Sequence, residues 1–316
     1  MRAVIAADGI PVITDLPVPT PAPGEVLVRV HATAINRADL LQVGGRYPPP
    51  PGASEIIGLE LAGEIAETGQ RVMALVAGGG YADYASVPAG QLMPMPSGMS
   101  YTHAAAIPEA FLTAWSNMVE IAGLRRGETV LIHAGASGVG LAATQIARAM
   151  RATVYVTASS GKHDMCLDAG AALAIDYRSE NFADRIQSVE ADGAGVDVIV
   201  DLVGAPYWDD NLRVIRNWGR IVYVGLQGGS EKTINLSHLM QKRLGLFGST
   251  LRNRTVAEKA ALVGRFREWA EPRFESGELR PNVWRVMPIG EVREAHEIMR
   301  RNENAGKIIL ELTGAG

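Results

Sequence analysis

The sequence predicts an α/β protein in which a doubly wound parallel sheet is joined to a separate, mostly β module. Three observations predict it. Strands and helices alternate from Glu128 onward, the residues before Tyr101 hold short β runs broken by proline and glycine, and the chain returns to β character after a long helix near its end. A length of 316 residues with 47% hydrophobic side chains fits two domains with their own cores. A net charge of −4 leaves no basic surplus for nucleic acid or an anionic membrane. No apolar run reaches bilayer length, and the opening MRAVIAADGIPVI is interrupted by Asp8, Gly9 and Pro11. The expected location is the cytoplasm, with neither membrane nor nucleic acid as a partner. The single cysteine, Cys166, excludes an intrachain disulfide framework and a zinc site built from several thiolates.

In chain order, Arg2 to Ala6, Glu25 to Ala32, Leu59 to Ala66 and Arg71 to Val76 read as strands of the first module, separated by Pro17 to Gly24, the Pro48 to Pro51 run and the Gly78 to Gly80 run. No segment of helical period of convincing length precedes about Tyr101, and the module is expected to fold as a partly closed barrel. From Thr102 to Gly123 the pattern is helical, with Pro108 starting a new helix. Six strand candidates follow: Thr129 to Ala134, Thr153 to Thr157, Ala172 to Ile175, Val196 to Leu202, Arg220 to Gly225 and Leu244 to Gly248. Helices are expected near Val139 to Met150, Lys162 to Ala169, Phe182 to Val189 and Tyr207 to Asn217. Val256 to Ser276 reads as a long amphipathic helix, followed by a β run, a helix at Glu291 to Arg300 and a last strand at Lys307 to Leu312. The expected division is 1–113 with 263–316 for the β-rich module and 114–262 for the doubly wound one.

The most informative stretch is Thr129 to Met150, TVLIHAGASGVGLAATQIARAM. A buried parallel strand runs into the turn Gly135-Ala136-Ser137-Gly138-Val139-Gly140 and then into a helix of small and apolar residues. Glycines let backbone bend sharply and approach a ligand, and the helix behind offers free N–H groups at the positive end of its dipole. The turn therefore reads as a pyrophosphate seat formed by Ala136, Ser137, Gly138 and Val139. Its G-x-x-G-x-G spacing departs from G-x-G-x-x-G, so the alternative is a plain strand–helix turn in another α/β sheet. The following strand closes a βαβ unit of dinucleotide-binding size.

A cofactor with a free ribose 2′-hydroxyl is usually held by an acid at the end of the second strand. Here that position reads Thr157-Ala158-Ser159-Ser160-Gly161-Lys162, with no carboxylate. Ser159 and Lys162 would donate instead to a 2′-phosphate, which points to NADPH rather than NADH. The alternative for Lys162 is a solvated residue in the first turn of a helix. Because ligands lie at the carboxyl ends of parallel strands, further contacts are expected at Val203-Gly204, Gly225-Leu226 and Ser249 to Arg252.

Asn36-Arg37-Ala38-Asp39-Leu40, Tyr47 with its prolines and Gly52-Ala53-Ser54, Ala106-Ile107-Pro108-Glu109-Ala110, the glycine turn and Asn304-Ala305-Gly306-Lys307-Ile308 carry a family likeness in their order and spacing. Together they resemble the zinc-free quinone oxidoreductases of the medium-chain dehydrogenase/reductase superfamily, most of all the tumour-suppressor-induced branch of animals. The resemblance implies a GroES-like catalytic domain, a Rossmann domain, and a homodimer joined through the strand near Leu244 to Thr250. It also implies Tyr177 and Lys162 as phosphate contacts. The nicotinamide half and its ribose fall to Gly204, Gly225, Leu226, Ser249, Leu251, Arg252, Asn304 and Thr113. Gly225 can equally be a strand-end turn, and Thr113 a helix residue bonded to its preceding turn.

Two departures stand out. Zinc-dependent relatives carry Gly-His-Glu where this chain has Gly58-Leu59-Glu60, and GEIAETGQRVM, from Gly63 to Met73, lacks much of a loop that animal relatives carry. The resemblance thus implies no catalytic metal. Hydride transfer to a quinone or conjugated carbonyl needs a hydrogen-bond donor at the carbonyl oxygen. Asn36 and Tyr47 match the family's substrate-side polar positions. The alternatives are an internal amide for Asn36 and packing alone for Tyr47. The expected activity is an NADPH-dependent quinone reductase; a double-bond reductase of enones or enals, and a non-catalytic NADPH-binding protein, are its rivals.

Overall fold

The computed structural model describes residues 1–190 and 195–312. The chain divides into two compact units, Met1–Leu112 with Leu251–Gly316, and Thr113–Thr250. The second crossing falls at Leu251, before the long helix, where the sequence placed it within that helix at residue 263.

The first unit opens with a hairpin of β1 (Arg2–Ala7) and β2 (Ile10–Asp15). Its two-residue loop, Asp8-Gly9, has φ of 50° and 76°, the positive values that an Asp-Gly hairpin turn supplies. β2 was not expected, because Pro11 disguised it; at the edge of a two-stranded sheet proline is tolerated. β3 (Glu25–Ala34), α1 (Arg37–Val43), β4 (Glu60–Ile65), β5 (Arg71–Leu75), β6 (Tyr84–Pro88) and β7 (Leu92–Pro94) follow, then α2 (Tyr101–Ala104) and α3 (Pro108–Trp115). Pro108 opens α3, as its spacing predicted. α1 lies ahead of the first segment read as helical; with seven residues it is too short to show helical period, which fits the expectation of no helical segment of convincing length there. What makes it a helix is its cap, in which the Asp39 carboxylate accepts the Asn36 N–H at 2.7 Å.

The second unit contains β8 (Thr129–Ile132), α4 (Gly138–Ala149), β9 (Thr153–Ala158), α5 (His163–Ala169), β10 (Leu173–Asp176), α6 (Phe182–Val189), β11 (Val196–Asp201), α7 (Trp208–Val214), β12 (Ile215–Tyr223), α8 (Leu236–Lys242) and β13 (Gly245–Gly248). The six strands are parallel and ordered β10-β9-β8-β11-β12-β13. This is the doubly wound order, with its switch point between β8 and β11. Strand residues Leu131, Ile199 and Ile221 pack with Phe182, Ile186, Trp208 and Leu212 of the helices. The helix expected to Asn217 stops at Val214, because the β-branched Ile215 already pairs with Val196 of β11. α8 was not expected; Asn235 caps it by accepting the Ser237 N–H at 3.0 Å.

Leu251 onward rejoins the first unit with α9 (Val256–Glu275), β14 (Val283–Pro288), α10 (Val292–Arg300) and β15 (Lys307–Glu311). The sheet runs β14-β15-β3-β4-β5-β7, with β6 also paired to β3. All its pairings are antiparallel except β14 with β15, whose crossover is α10. Val28, Val30, Leu61 and Val72 share a core with Ile298, Ile308 and Leu310 from the returning segment. The two ends of the chain are thereby fused into one hydrophobic core.

Two glycines test this packing in opposite directions. A Cβ on Gly140 would lie 2.5 Å from the backbone oxygens of both Ala134 and Gly135, whereas one on Gly264, exposed on α9, meets nothing within 4 Å. Gly140→Ala should lower unfolding free energy by roughly 1–3 kcal/mol, and Gly264→Ala should raise it by up to about 1 kcal/mol, both read by urea denaturation.

Candidate functional site

In the second unit, the turn after β8 explains its own glycine spacing. A Cβ on Gly135 would lie 2.5 Å from Cβ of Val156 on β9, and Gly140 lets α4 pack against the turn backbone. Ser137 is the N-cap, its Oγ accepting the Gly140 N–H at 3.0 Å. The N–H groups of Gly138 and Val139, in the first turn of a twelve-residue helix, have no intrahelical acceptor. Ala136, Ser137, Gly138 and Val139 thus form a cradle suited to an anion.

Because all six strands run the same way, the ends of the chain segments that follow them share one edge of the sheet. Ser159 follows β9, and Lys162 ends a 3-10 turn, Ser160–Lys162, which leads into α5. Lys162 was expected inside the first turn of that helix; the tighter turn delays the helix to His163. Tyr177 follows β10, 45% exposed, with the Arg178 guanidinium 5.8 Å from its ring centroid. The one carboxylate ending either of these strands, Asp176, is engaged by its own turn and by Ser160 in the segment after β9. It accepts the Arg178 N–H and the Ser179 hydroxyl, each at 3.1 Å. Gly204, after β11, has φ of 92°, and a Cβ there would lie 2.5 Å from the Gly229 carbonyl oxygen. Gly225 and the half-exposed Leu226 follow β12. Ser249 follows β13 and donates to Oδ1 of Asn117 at 2.7 Å, while Nδ2 of Asn117 donates to the carbonyl of the buried Thr113 at 2.9 Å.

Sequence reasoning missed a buried network that shapes the Val203-Gly204 turn. The Asp201 carboxylate accepts the N–H groups of Val203 and Gly204, at 2.7 and 2.8 Å, and Nδ2 of Asn211 at 2.8 Å. With its amide donating to Asp201, Asn211 uses Oδ1 to accept from Nε2 of His133 at 2.8 Å. Nδ1 of His133 then accepts from Thr157 Oγ1 at 3.0 Å. Burial lowers the His133 pKa, consistent with this neutral tautomer. Cys166 is fully buried on α5, and burial pushes its thiol up to about 11.

In the first unit the polar side chains converge on Glu60. This fully buried carboxylate pairs with Lys307 Nζ at 2.7 Å, accepts from Nδ2 of Asn36 at 2.8 Å and accepts the Glu109 N–H at 2.8 Å. Lys307 also donates to Oδ1 of Asn36 at 2.6 Å and to the Ile35 carbonyl at 3.0 Å. The Asn36 amide also donates to the Ala34 carbonyl at 3.3 Å, so the internal-amide alternative describes how it is used in this arrangement. Asp39 is buried below, accepting from the Tyr81 hydroxyl at 2.9 Å. Burial pushes Asp39 up to about 6, against the pull of its two hydrogen bonds. Burial and the neighbouring Glu60 and Asp39 carboxylates push Glu109 up to about 8.

Tyr47 is held from behind. Arg252, 4% exposed, donates to the Tyr47 carbonyl at 2.9 Å, to the Ala77 carbonyl at 2.8 Å and to Oε1 of Gln42 at 2.7 Å, with its guanidinium 5.2 Å from the Tyr47 ring centroid. Arg252 was expected at the cofactor; its guanidinium is directed into this unit instead, because a buried arginine must satisfy its donors locally. The Tyr47 hydroxyl has no hydrogen-bond partner among the described residues. Leu251 is buried, and Nδ2 of Asn304 donates to the Gly306 carbonyl at 2.8 Å. Among the described residues, no three His, Cys, Asp or Glu side chains are grouped to hold a metal ion, and no helix is long and apolar enough to cross a membrane.

The doubly wound sheet with its glycine cradle, and a β unit carrying a buried polar cluster, define an oxidoreductase of the medium-chain dehydrogenase/reductase superfamily. Residues 22–97 match the alcohol dehydrogenase GroES-like domain and residues 138–265 the zinc-binding dehydrogenase family. The quinone oxidoreductase of Mus musculus is 31% identical over 311 residues, spanning 94% of this chain and 92% of that protein. The crystal structures of the quinone oxidoreductase from Thermus thermophilus, one of them a complex with NADPH, show 33% identity and a TM-score of 0.86, covering 99% of this chain and 100% of that one. The CurK enoyl reductase structure is 26% identical, with a TM-score of 0.87 and 99% of both chains covered. The chain belongs to the quinone oxidoreductase family of this superfamily.

Removing one partner of the buried pair tests the cluster. Lys307→Met leaves Glu60 charged and fully buried, and should destabilise the protein by about 3–5 kcal/mol in a denaturant titration; a loss of under about 1 kcal/mol would show that the pair behaves like an exposed one.

Proposed function

We propose that this chain is an NADPH-dependent, zinc-independent reductase that transfers hydride to quinones or related conjugated carbonyls in the cytoplasm. The observation that carries the cofactor reading is the acid-free end of β9. Ser159 and Lys162 stand where a dehydrogenase for NADH presents a carboxylate, and Asp176 on the neighbouring strand is already engaged by its own turn and by Ser160. The residues fit the cofactor: Gly138 and Val139 N–H groups for the pyrophosphate, Ser159, Lys162 and Tyr177 for the 2′-phosphate end, and Gly204, Gly225, Leu226 and Ser249 along the same edge of the sheet for the nicotinamide half. Thr113, Leu251 and Asn304 complete that assignment through the family likeness.

The reading without zinc rests on chemistry. Where zinc relatives have histidine this chain has the buried Leu59, and Glu60 is already paired with Lys307. When bound, the reduced nicotinamide supplies the hydride. The protein supplies a donor for the substrate oxygen, and Tyr47 is that donor: its ring is fixed by Arg252 and its hydroxyl is uncommitted. Asn36 positions the cluster behind it. The likeness to the CurK enoyl reductase favours, as a second reading, reduction of the double bond of enones by the same hydride chemistry.

We also propose a homodimer formed through β13. This strand ends the sheet, its Leu246 and Phe247 are 39% and 38% exposed, and Met240 on the preceding helix is 79% exposed.

With an ortho-naphthoquinone as acceptor, NADPH oxidation should proceed and NADH support it far less well; equal rates with both would overturn the cofactor reading, and binding without turnover would mark a non-catalytic protein. Lys162→Ala should raise KM for NADPH by about tenfold and leave that for NADH unchanged. Tyr47→Phe should lower kcat/KM by roughly 10–100-fold with the KM for NADPH unaltered. On a sizing column with light scattering, Phe247→Asp should convert a dimer to a monomer.

A further inference from the structure

One ionisable group in the first unit has no assigned task. Glu109 is the second residue of α3, and its N–H is anchored on Oε2 of Glu60 at 2.8 Å. Its side chain is mostly buried, yet its carboxyl has no hydrogen-bond or ion-pair partner among the described residues. Every neighbour that could neutralise it is engaged elsewhere. Lys307 on β15 pairs with Glu60 at 2.7 Å, Lys259 on α9 donates to the Arg252 carbonyl at 2.6 Å, and the Arg252 guanidinium holds Tyr47, Ala77 and Gln42. The remaining charged groups facing it, Glu60 on β4 and Asp39 on α1, are carboxylates. Its field reaches Tyr47 and raises the phenol pKa, after burial the largest cause of that rise. A carboxyl surrounded in this way keeps its proton: burial and the two carboxylates push it up to about 8, so at neutral pH it is an acid with a proton to give.

Resting on the reading of this unit as the substrate side, we infer that Glu109 is the proton donor of the reaction. When bound, the reduced cofactor would supply a hydride, two electrons and one hydrogen, and the substrate oxygen held at Tyr47 would be left with a negative charge. The O–H bond of the Glu109 carboxyl breaks, a new O–H bond forms on that oxygen, and Glu109 becomes a carboxylate. It recovers a proton from water before the next turnover. A quinone thus takes up one hydride and one proton and leaves as the hydroquinone. The product is then protonated by a resident acid rather than by solvent, an acid matched to neutral pH as general acid catalysis requires.

The same proton links to stability. A carboxyl whose folded pKa lies above its ordinary value binds its proton more tightly when folded, so its contribution is present below about 4.5 and is lost as pH rises towards about 8. Asp39 acts likewise in the lower part of this window, up to about 6.

Three measurements on the full chain, two of them without substrate or cofactor, test the inference. Infrared difference spectra of the protein alone across neutral to alkaline pH should show a protonated carboxyl band that disappears near pH 8 and is missing from E109Q. The melting temperature of E109Q should also fall less than that of the wild type over the same range. With NADPH and an ortho-naphthoquinone, E109Q should lose about 100-fold in kcat together with the alkaline limb of the pH profile, E109D should recover part of both, and cofactor affinity should be unchanged. An E109Q variant that keeps the wild-type kcat and alkaline limb, or a wild type without the protonated band, overturns the assignment to Glu109 while leaving the proposed activity in place. A wild type that binds NADPH but turns over neither quinone nor enone removes the activity and the donor together.

Discussion

The buried pair of Lys307 and Glu60 is the interaction on which the first unit depends. It is 247 residues long in sequence and 2.7 Å long in space, and it fastens the last strand to the fourth. Around it the first unit orders its polar parts. Asn36 is held by both partners and caps α1; Glu60 holds the N–H that begins α3; the Ile35 carbonyl at the end of β3 takes a third proton of the ammonium. Burying two charges is costly, and the cost is offset only because each has further hydrogen bonds. The cation that faces the buried Glu60 is thus a side chain of the chain itself, supplied by its last strand.

The nucleotide-side unit solves a different problem. Parallel strands bury both faces of the sheet, so the polar groups that shape its turns gather at the ends of the strands. At the carboxyl edge each turn is shaped by a specific device: Gly135 and Gly140 by close packing, Ser137 by capping, Gly204 by its positive φ and the Asp201 carboxylate. His133 and Asn211 extend that carboxylate's hydrogen bonds to Thr157, so the turns after β8, β9 and β11 belong to one polar assembly.

Much of this second unit was legible in the sequence, because apolar β runs alternating with helices have a strong periodic signal and the glycine turn is local. The six strands, their parallel order and the acid-free end of β9 needed no tertiary information. What was illegible is either short or long-range. α1 holds two turns at most and is defined by a cap, not a period; Ile215 reads as the end of a helix until its pairing with Val196 is known. Arg252 reads as a strand-end contact, and only folding reveals Gln42, Ala77 and Tyr47 around it. The partnership of Lys307 with Glu60 and the isolation of the Glu109 carboxyl leave no trace in local spacing. They are properties of a core assembled from both ends of the chain.

A crystal structure of the protein with NADP⁺ bound tests the central claim most directly. The account predicts the 2′-phosphate within hydrogen-bond reach of Ser159 and Lys162, the pyrophosphate on the N–H groups of Gly138 and Val139, and Glu60 still paired with Lys307. A 2′-end turned away from Lys162, or a metal ion bound at Glu60 with the lysine displaced, would contradict it.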